Sequence, residues 1–77
     1  MLIVNTDYIT GKNLEVLGLV AGHVETDLKR AKDLALKEIA DQASKLKADA
    51  IINVRFSVSG ASRMGLCFVS GTAVKFV

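Results

Sequence analysis

The chain has 77 residues, with ten Lys or Arg against eight Asp or Glu, one His, one Cys, no Trp and no Pro, and 51 % of it is apolar. That length excludes two domains, that apolar content excludes disorder, and a formal charge of +2 excludes the strong basic excess of a typical nucleic-acid-binding domain. A single cysteine excludes an intrachain disulfide, so nothing points to an oxidising compartment.

The start, Met1-Leu2-Ile3-Val4-Asn5, has neither a basic n-region nor a long apolar h-region, so no signal peptide is expected. No run approaches the roughly 18 apolar residues of a membrane span. The expectation is a cytoplasmic protein with no membrane partner. Leu2 to Thr6 is a short β-branched and apolar run, and the segment to Asn13 carries turn chemistry centred on Gly11-Lys12-Asn13.

Leu14 to Val24 reads as a longer strand. Leu14, Val16, Gly18, Val20, Gly22 and Val24 fall on one face, and Glu15, Leu17, Leu19, Ala21 and His23 on the other. Both faces are largely apolar, which predicts cover on both sides. Gly18 and Gly22 mark bends or a close backbone approach.

Thr26 or Asp27 starts a helix, by accepting from a free backbone N–H at its positive end, and the helix runs to about Leu46. Leu28, Ala31, Ala35, Ile39, Ala43 and Leu46 recur at three- and four-residue steps and form one apolar stripe, flanked by Leu34 and Leu36. Asp33 with Lys37 and Asp41 with Lys45 are acid-before-base pairs, each worth about 0.3 kcal/mol.

Lys47-Ala48-Asp49 links the helix to a strand from Ala50 to Ser59. In it Ile52, Val54, Phe56 and Val58 are expected to face the helix and Asn53, Arg55, Ser57 and Ser59 to face away. Gly60-Ala61-Ser62-Arg63 reads as a short loop, so the last strand, Met64 to Val77, returns antiparallel. Its alternation puts Met64, Leu66 and Phe68 on the helix side and Gly65, Cys67 and Val69 on the other, with a bend or bulge at Ser70-Gly71-Thr72.

The order ββαββ defines an α+β domain, residues 1–77, with one helix on an antiparallel or mixed sheet of about four strands. One helix covers one face. Leu17, Leu19, Cys67, Val69 and Ala73 are placed on the other, where together they form an apolar patch of the kind that marks an interface. Leu17, Leu19, Val69 and Ala73 are therefore the expected oligomer contacts, and the expected partner is the protein itself.

Three segments carry a family likeness. They are Ile9-Thr10-Gly11-Lys12 followed by Leu17-Gly18-Leu19-Val20-Ala21-Gly22, then Lys47-Ala48-Asp49-Ala50-Ile51-Ile52-Asn53-Val54, then Val69-Ser70-Gly71-Thr72-Ala73-Val74. In this order and spacing the chain resembles the YbjQ-like family, which carries a heavy-metal-binding label. The resemblance implies a ββαββ subunit assembling into a ring of the YbjQ-like or dodecin-like kind, a homopentamer. It implies a metal or small ligand by the family's label alone. Two departures stand out. Family members carry some tens of residues between the glycine matching Gly22 and the main helix, where this chain has only His23, Val24 and Glu25. They also have glycine where this chain has Lys47, which predicts a left-handed Lys47 at a cost of about 1 kcal/mol.

Cys67 and His23 are the candidate metal ligands. Cys67 reads either as a thiolate for a soft metal or selenium, or as a small core hydrophobe among Leu66, Phe68 and Val69. His23 reads either as a second ligand or as a polar strand end, and two ligands fall short of the four of a structural zinc site. Arg55 and Arg63, with Lys75, read either as an anion- or ligand-binding patch or as solvated charges. No enzyme template fits. Gly60-Ala61-Ser62-Arg63-Met64-Gly65 lacks the Gly-Lys-Ser/Thr of a Walker loop. The aromatics are Tyr8, Phe56, Phe68 and Phe76. A base-stacking platform needs aromatics interleaved with basic residues on an exposed sheet face. Phe56 and Phe68 are expected in the core on the helix-covered face, so no nucleic-acid partner is expected. The sequence thus predicts a non-enzymatic homo-oligomer that binds a metal or small ligand between subunits. The alternative is a thiol-based soft-metal or selenium binder or sensor acting through Cys67.

Overall fold

The structure, a computed structural model, describes residues 1–61 and 64–77. The elements run β1 (Leu2–Ile3), β2 (Leu14–Asp27), α1 (Leu28–Lys45), β3 (Ala50–Ala61) and β4 (Met64–Phe76). They form one four-stranded sheet in the order β1-β3-β4-β2, with α1 on one face. β1 runs parallel to β3, and the other pairs are antiparallel, so the sheet is mixed and the fold is the expected ββαββ. β3 stays paired to β4 as far as Ala61 and Met64; Ser62 and Arg63 of the expected loop lie outside the described residues.

The helix starts where expected. Asp27 caps it, its Oδ1 accepting from the Lys29 N–H at 2.9 Å and satisfying one of the free donors of the first turn. Ala31, Ala35, Ile39 and Ala43 are buried against the sheet. Three of these four are alanines, so the helix axis approaches the strands closely. Lys47 ends the helix with φ 61°. Its N–H donates to the Ser44 carbonyl and that of Ala48 to the Ala43 carbonyl, both at 3.0 Å, which is a Schellman motif built on lysine. Asp49 then leads into β3: its N–H donates to the Val74 carbonyl and its Oδ2 accepts from the Phe76 N–H, both at 2.8 Å.

Two bulges set which way the side chains point, and both face β4. Leu17 is the extra residue in β2, between the pairs Val16–Val74 and Gly18–Ala73. In β3, Asn53 and Val54 together oppose Gly71, between the pairs Ile52–Thr72 and Arg55–Ser70. The irregularity expected at Ser70-Gly71-Thr72 is thus located at the right level of the sheet, but the extra residue lies in the partner strand. Asn53 has φ 55°, which asparagine tolerates better than most residues. Each bulge inverts the alternation of its strand. Leu14 and Val16 therefore lie on the opposite face from Gly18 and Val20, and Ile52 points away from the helix while Val54 points toward it.

The main core is the helix side of the sheet: Val20, Ile51, Val54, Cys67, Val69 and Ala73 against Ala31, Ala35, Ile39 and Ala43. This overturns the expected faces of the last strand. Cys67 (0 % exposed), Val69 (3 %) and Ala73 (0 %) lie under the helix, and Phe68 (47 % exposed) lies on the outer face. Leu17 also packs against the main core. Of the expected interface residues, only Leu19 stays on the uncovered face, 85 % exposed. The physical reason is size. Gly65, Cys67, Val69, Gly71 and Ala73 form the smaller-residue side of β4, and an alanine-rich helix packs against small residues. A smaller cluster, Ala50, Ile52 and Val74, lies on the outer face, where Val4, Ile9, Leu14 and Phe76 cover it. The N-terminal segment thus shelters one end of the outer face and leaves the rest open.

Candidate functional site

The open part of the outer face is built from two cross-strand rows. In one, Phe68 of β4 stands between His23 of β2 and Ser57 of β3. In the next, Ser70 stands between Ala21 and Arg55. Residues opposite one another in an antiparallel pair point to the same face with Cβ atoms about 5 Å apart, so the six side chains form one contiguous patch. They line an open depression of about 430 Å³.

The imidazole of His23 lies against Phe68, with ring centroids 5.9 Å apart and planes tilted by 34°. Arg55 is held at the opposite border: its Nη1 donates to the Asn5 carbonyl at 2.9 Å and to the Val54 carbonyl at 3.2 Å. The guanidinium keeps further donors free for a ligand. Ser57 and Ser70 add two hydroxyls, and among the described residues no Asp or Glu lines the depression. A cation, an imidazole and hydroxyls around one exposed aromatic ring suit a small anion with a flat apolar body. Sequence reasoning singled out Arg55 and His23 but missed Phe68, Ser57 and Ser70, because Phe68 was assigned to the helix side.

The other candidates do not join this patch. Arg63 lies outside the described residues. Lys75 is on β4 opposite Glu15, at the far end of the strand and on the other face. Cys67 pairs across the ladder with Val24 on the helix side, whereas His23 is exposed on the outer side. The sheet separates the two expected metal ligands. The Cys67 thiol makes one long contact, to the Phe68 carbonyl at 4.0 Å, and is fully buried. Among the described residues no three His, Cys, Asp or Glu side chains gather to hold a metal ion. Donors of a single chain therefore do not fit a heavy metal. No helix among the described residues is long and apolar enough to cross a membrane.

One helix on a four-stranded mixed sheet, with its other face largely bare, defines the class of small α+β proteins to which this chain is assigned. The chain belongs to the YbjQ family, described as "putative heavy-metal-binding", whose model matches residues 23–77. It is 35 % identical to a UPF0145 protein of Alkaliphilus metalliredigens and 32 % identical to one of Clostridium novyi, each over 106 positions spanning the whole of both chains. A UPF0145 protein of Clostridium tetani is 30 % identical and matches 97 % of this chain and 96 % of its own length. A crystal structure of a protein of unknown function from Pediococcus pentosaceus, of the DUF74 family, superposes with a TM-score of 0.87 at 16 % identity, over 100 % of this chain and 98 % of that one.

An alignment of 106 positions against 77 residues leaves at least 29 positions without a residue of this chain. The family match begins at His23, directly after Gly22. Here β2 runs unbroken from Leu14 to Asp27 and passes straight into the helix cap.

Proposed function

We propose that this protein is a non-enzymatic, self-assembling binding protein in which copies associate through the outer sheet face and a small anionic ligand seats in the depression between them. The observation that carries the reading is Leu19. An 85 % exposed leucine stands two residues along β2 from the Ala21–Ser70–Arg55 row, on the same uncovered face as the half-exposed Phe68. Burying a leucine contributes about 2 kcal/mol, so a face bearing Leu19 and Phe68 gains by contact with a second copy. The resemblance to the YbjQ-like family supports a ring of five.

A heavy metal, the ligand that the family description suggests, would need donors from several copies. His23, exposed beside the depression, is the residue placed to offer one from each. The thiol-based alternative has the burial of Cys67 against it. Elemental analysis of wild type beside Cys67→Ser tests it, and equal metal or selenium content in both ends it.

Native mass spectrometry at micromolar concentration tests the main reading. Wild type is expected as a multi-subunit species and Leu19→Glu as the monomer of 8.2 kDa. A wild type that is monomeric under those conditions overturns the proposal.

A further inference from the structure

β2 is an outermost strand, 14 residues long, and among the described residues no strand lies on its far side. An edge of that length bearing exposed Val16 and Leu19 is a template for strand addition by another chain. At its middle, one helix side chain occupies that edge. The Ala21 N–H donates to Gln42 Oε1 at 3.1 Å, and Gln42 Nε2 donates to the Ala21 carbonyl at 2.6 Å. A neighbouring strand makes this same pair of bonds, one accepted and one donated, to a single residue.

The residues one turn to either side extend the cover. Glu38 lies over Gly22, where a Cβ would sit 2.7 Å from Glu38 Cδ, and Leu46 is 3.8 Å from the Cβ position of Gly18. Glu38, Gln42 and Leu46 are four apart and share one flank of the helix. The flank therefore follows the edge from Gly18 to Gly22. A side chain at position 22 would have to displace the Glu38 carboxylate.

We propose that Gln42 is an edge plug: its side-chain amide stands in for a neighbouring strand and closes β2 at Ala21 to strand addition by a second copy of this chain. The amide is suited to this because it carries a donor and an acceptor in one plane. Glutamate has no donor, asparagine is one methylene shorter, and methionine has neither group. The inference concerns the edge of the sheet and is independent of whether copies meet through its outer face.

Amide hydrogen exchange of Ala21 and sedimentation of the full-length chain test it together. In wild type the Ala21 amide is expected to be protected like the strand-paired amides of β2. In Gln42→Met, which keeps the length and helix propensity of the side chain, it is expected to exchange about tenfold faster. The same variant is expected to form species larger than wild type as concentration rises. Gln42→Glu is expected not to form them, because a charge on an edge opposes strand addition. An unprotected Ala21 amide in wild type overturns the proposal. So does a Gln42→Met protein that loses the protection yet sediments as wild type. Should Gln42→Met not fold, the wild-type exchange rate and the sedimentation of Gln42→Glu still decide. A Gln42→Glu chain that grows into large species overturns it.

Discussion

Asn53, with its left-handed backbone, and Gly71 face each other across the β3–β4 ladder, and the space beside Gly71 is filled by the neighbours of Asn53. A Cβ at Gly71 would lie 2.6 Å from Ile51 Cγ2 and 3.2 Å from Val54 Cγ2, the two side chains that flank the bulge on the helix side. The bulge sends Ile51 and Val54 to one face and Ile52 to the other, so both core clusters depend on it. Gly71→Ala is expected to cost about 1–3 kcal/mol, as overpacking of a filled core does. A urea midpoint equal to wild type, with an unchanged slope, would show that the neighbours yield freely and that the site is not filled as described.

Lys47 offers the opposite case, a position that a smaller residue improves. It is held at φ 61° by the two hydrogen bonds that end the helix. Lys47→Gly removes the Cβ penalty and is expected to raise stability by about 1 kcal/mol. Thermal unfolding of the two proteins side by side checks it, and a lower midpoint for the glycine variant contradicts the assignment.

Cys67 is sealed beneath the helix. Iodoacetamide is expected to leave it unmodified in the folded protein and to alkylate it once urea unfolds the chain. Cys67→Ser places a hydroxyl in an apolar site and is expected to cost about 1–3 kcal/mol. Rapid alkylation under native conditions would mean that the thiol is within reach of solvent.

Arg55 is the cation of the outer depression. Titration with benzoate, followed by the amide signals of Ser57, Phe68 and Ser70, is expected to shift all three in wild type. In Arg55→Ala the affinity is expected to fall at least about tenfold, since a hydrogen bond to a charged group contributes about 1.5–3 kcal/mol. A shift at Phe68 that persists unchanged in Arg55→Ala would leave the ring as the binding element and remove the anion from the assignment.

The parts legible beforehand are those governed by short-range rules. The helix, its start at Thr26 or Asp27 and the ββαββ order along the chain follow from residues a few positions apart, and the left-handed Lys47 was implied by the resemblance to a family with glycine there. The site was legible only in part. Arg55 and His23 stood out as charged or titratable groups in an apolar chain, but Phe68 was assigned to the wrong face, and with it the neighbours of Cys67. Alternation in β4 says which residues share a face and does not say which face meets the helix, because both sides of the strand are apolar. Gln42 gave no signal at all, since a glutamine on a helix flank is ordinary until a strand edge lies beside it.

The amino-acid sequence by itself determined the ββαββ order and the helix, because periodicity, capping and turn chemistry act locally along the chain, and three short segments carried the likeness to its family. Only the tertiary structure decided that Cys67, Val69 and Ala73 lie beneath the helix while Leu19 and Phe68 face outward. Two one-residue bulges, at Leu17 and Asn53, shift the phase of β2 and β3, and an alanine-faced helix settles on the side of the sheet that lets it come closest. Those choices depend on how distant segments fit together.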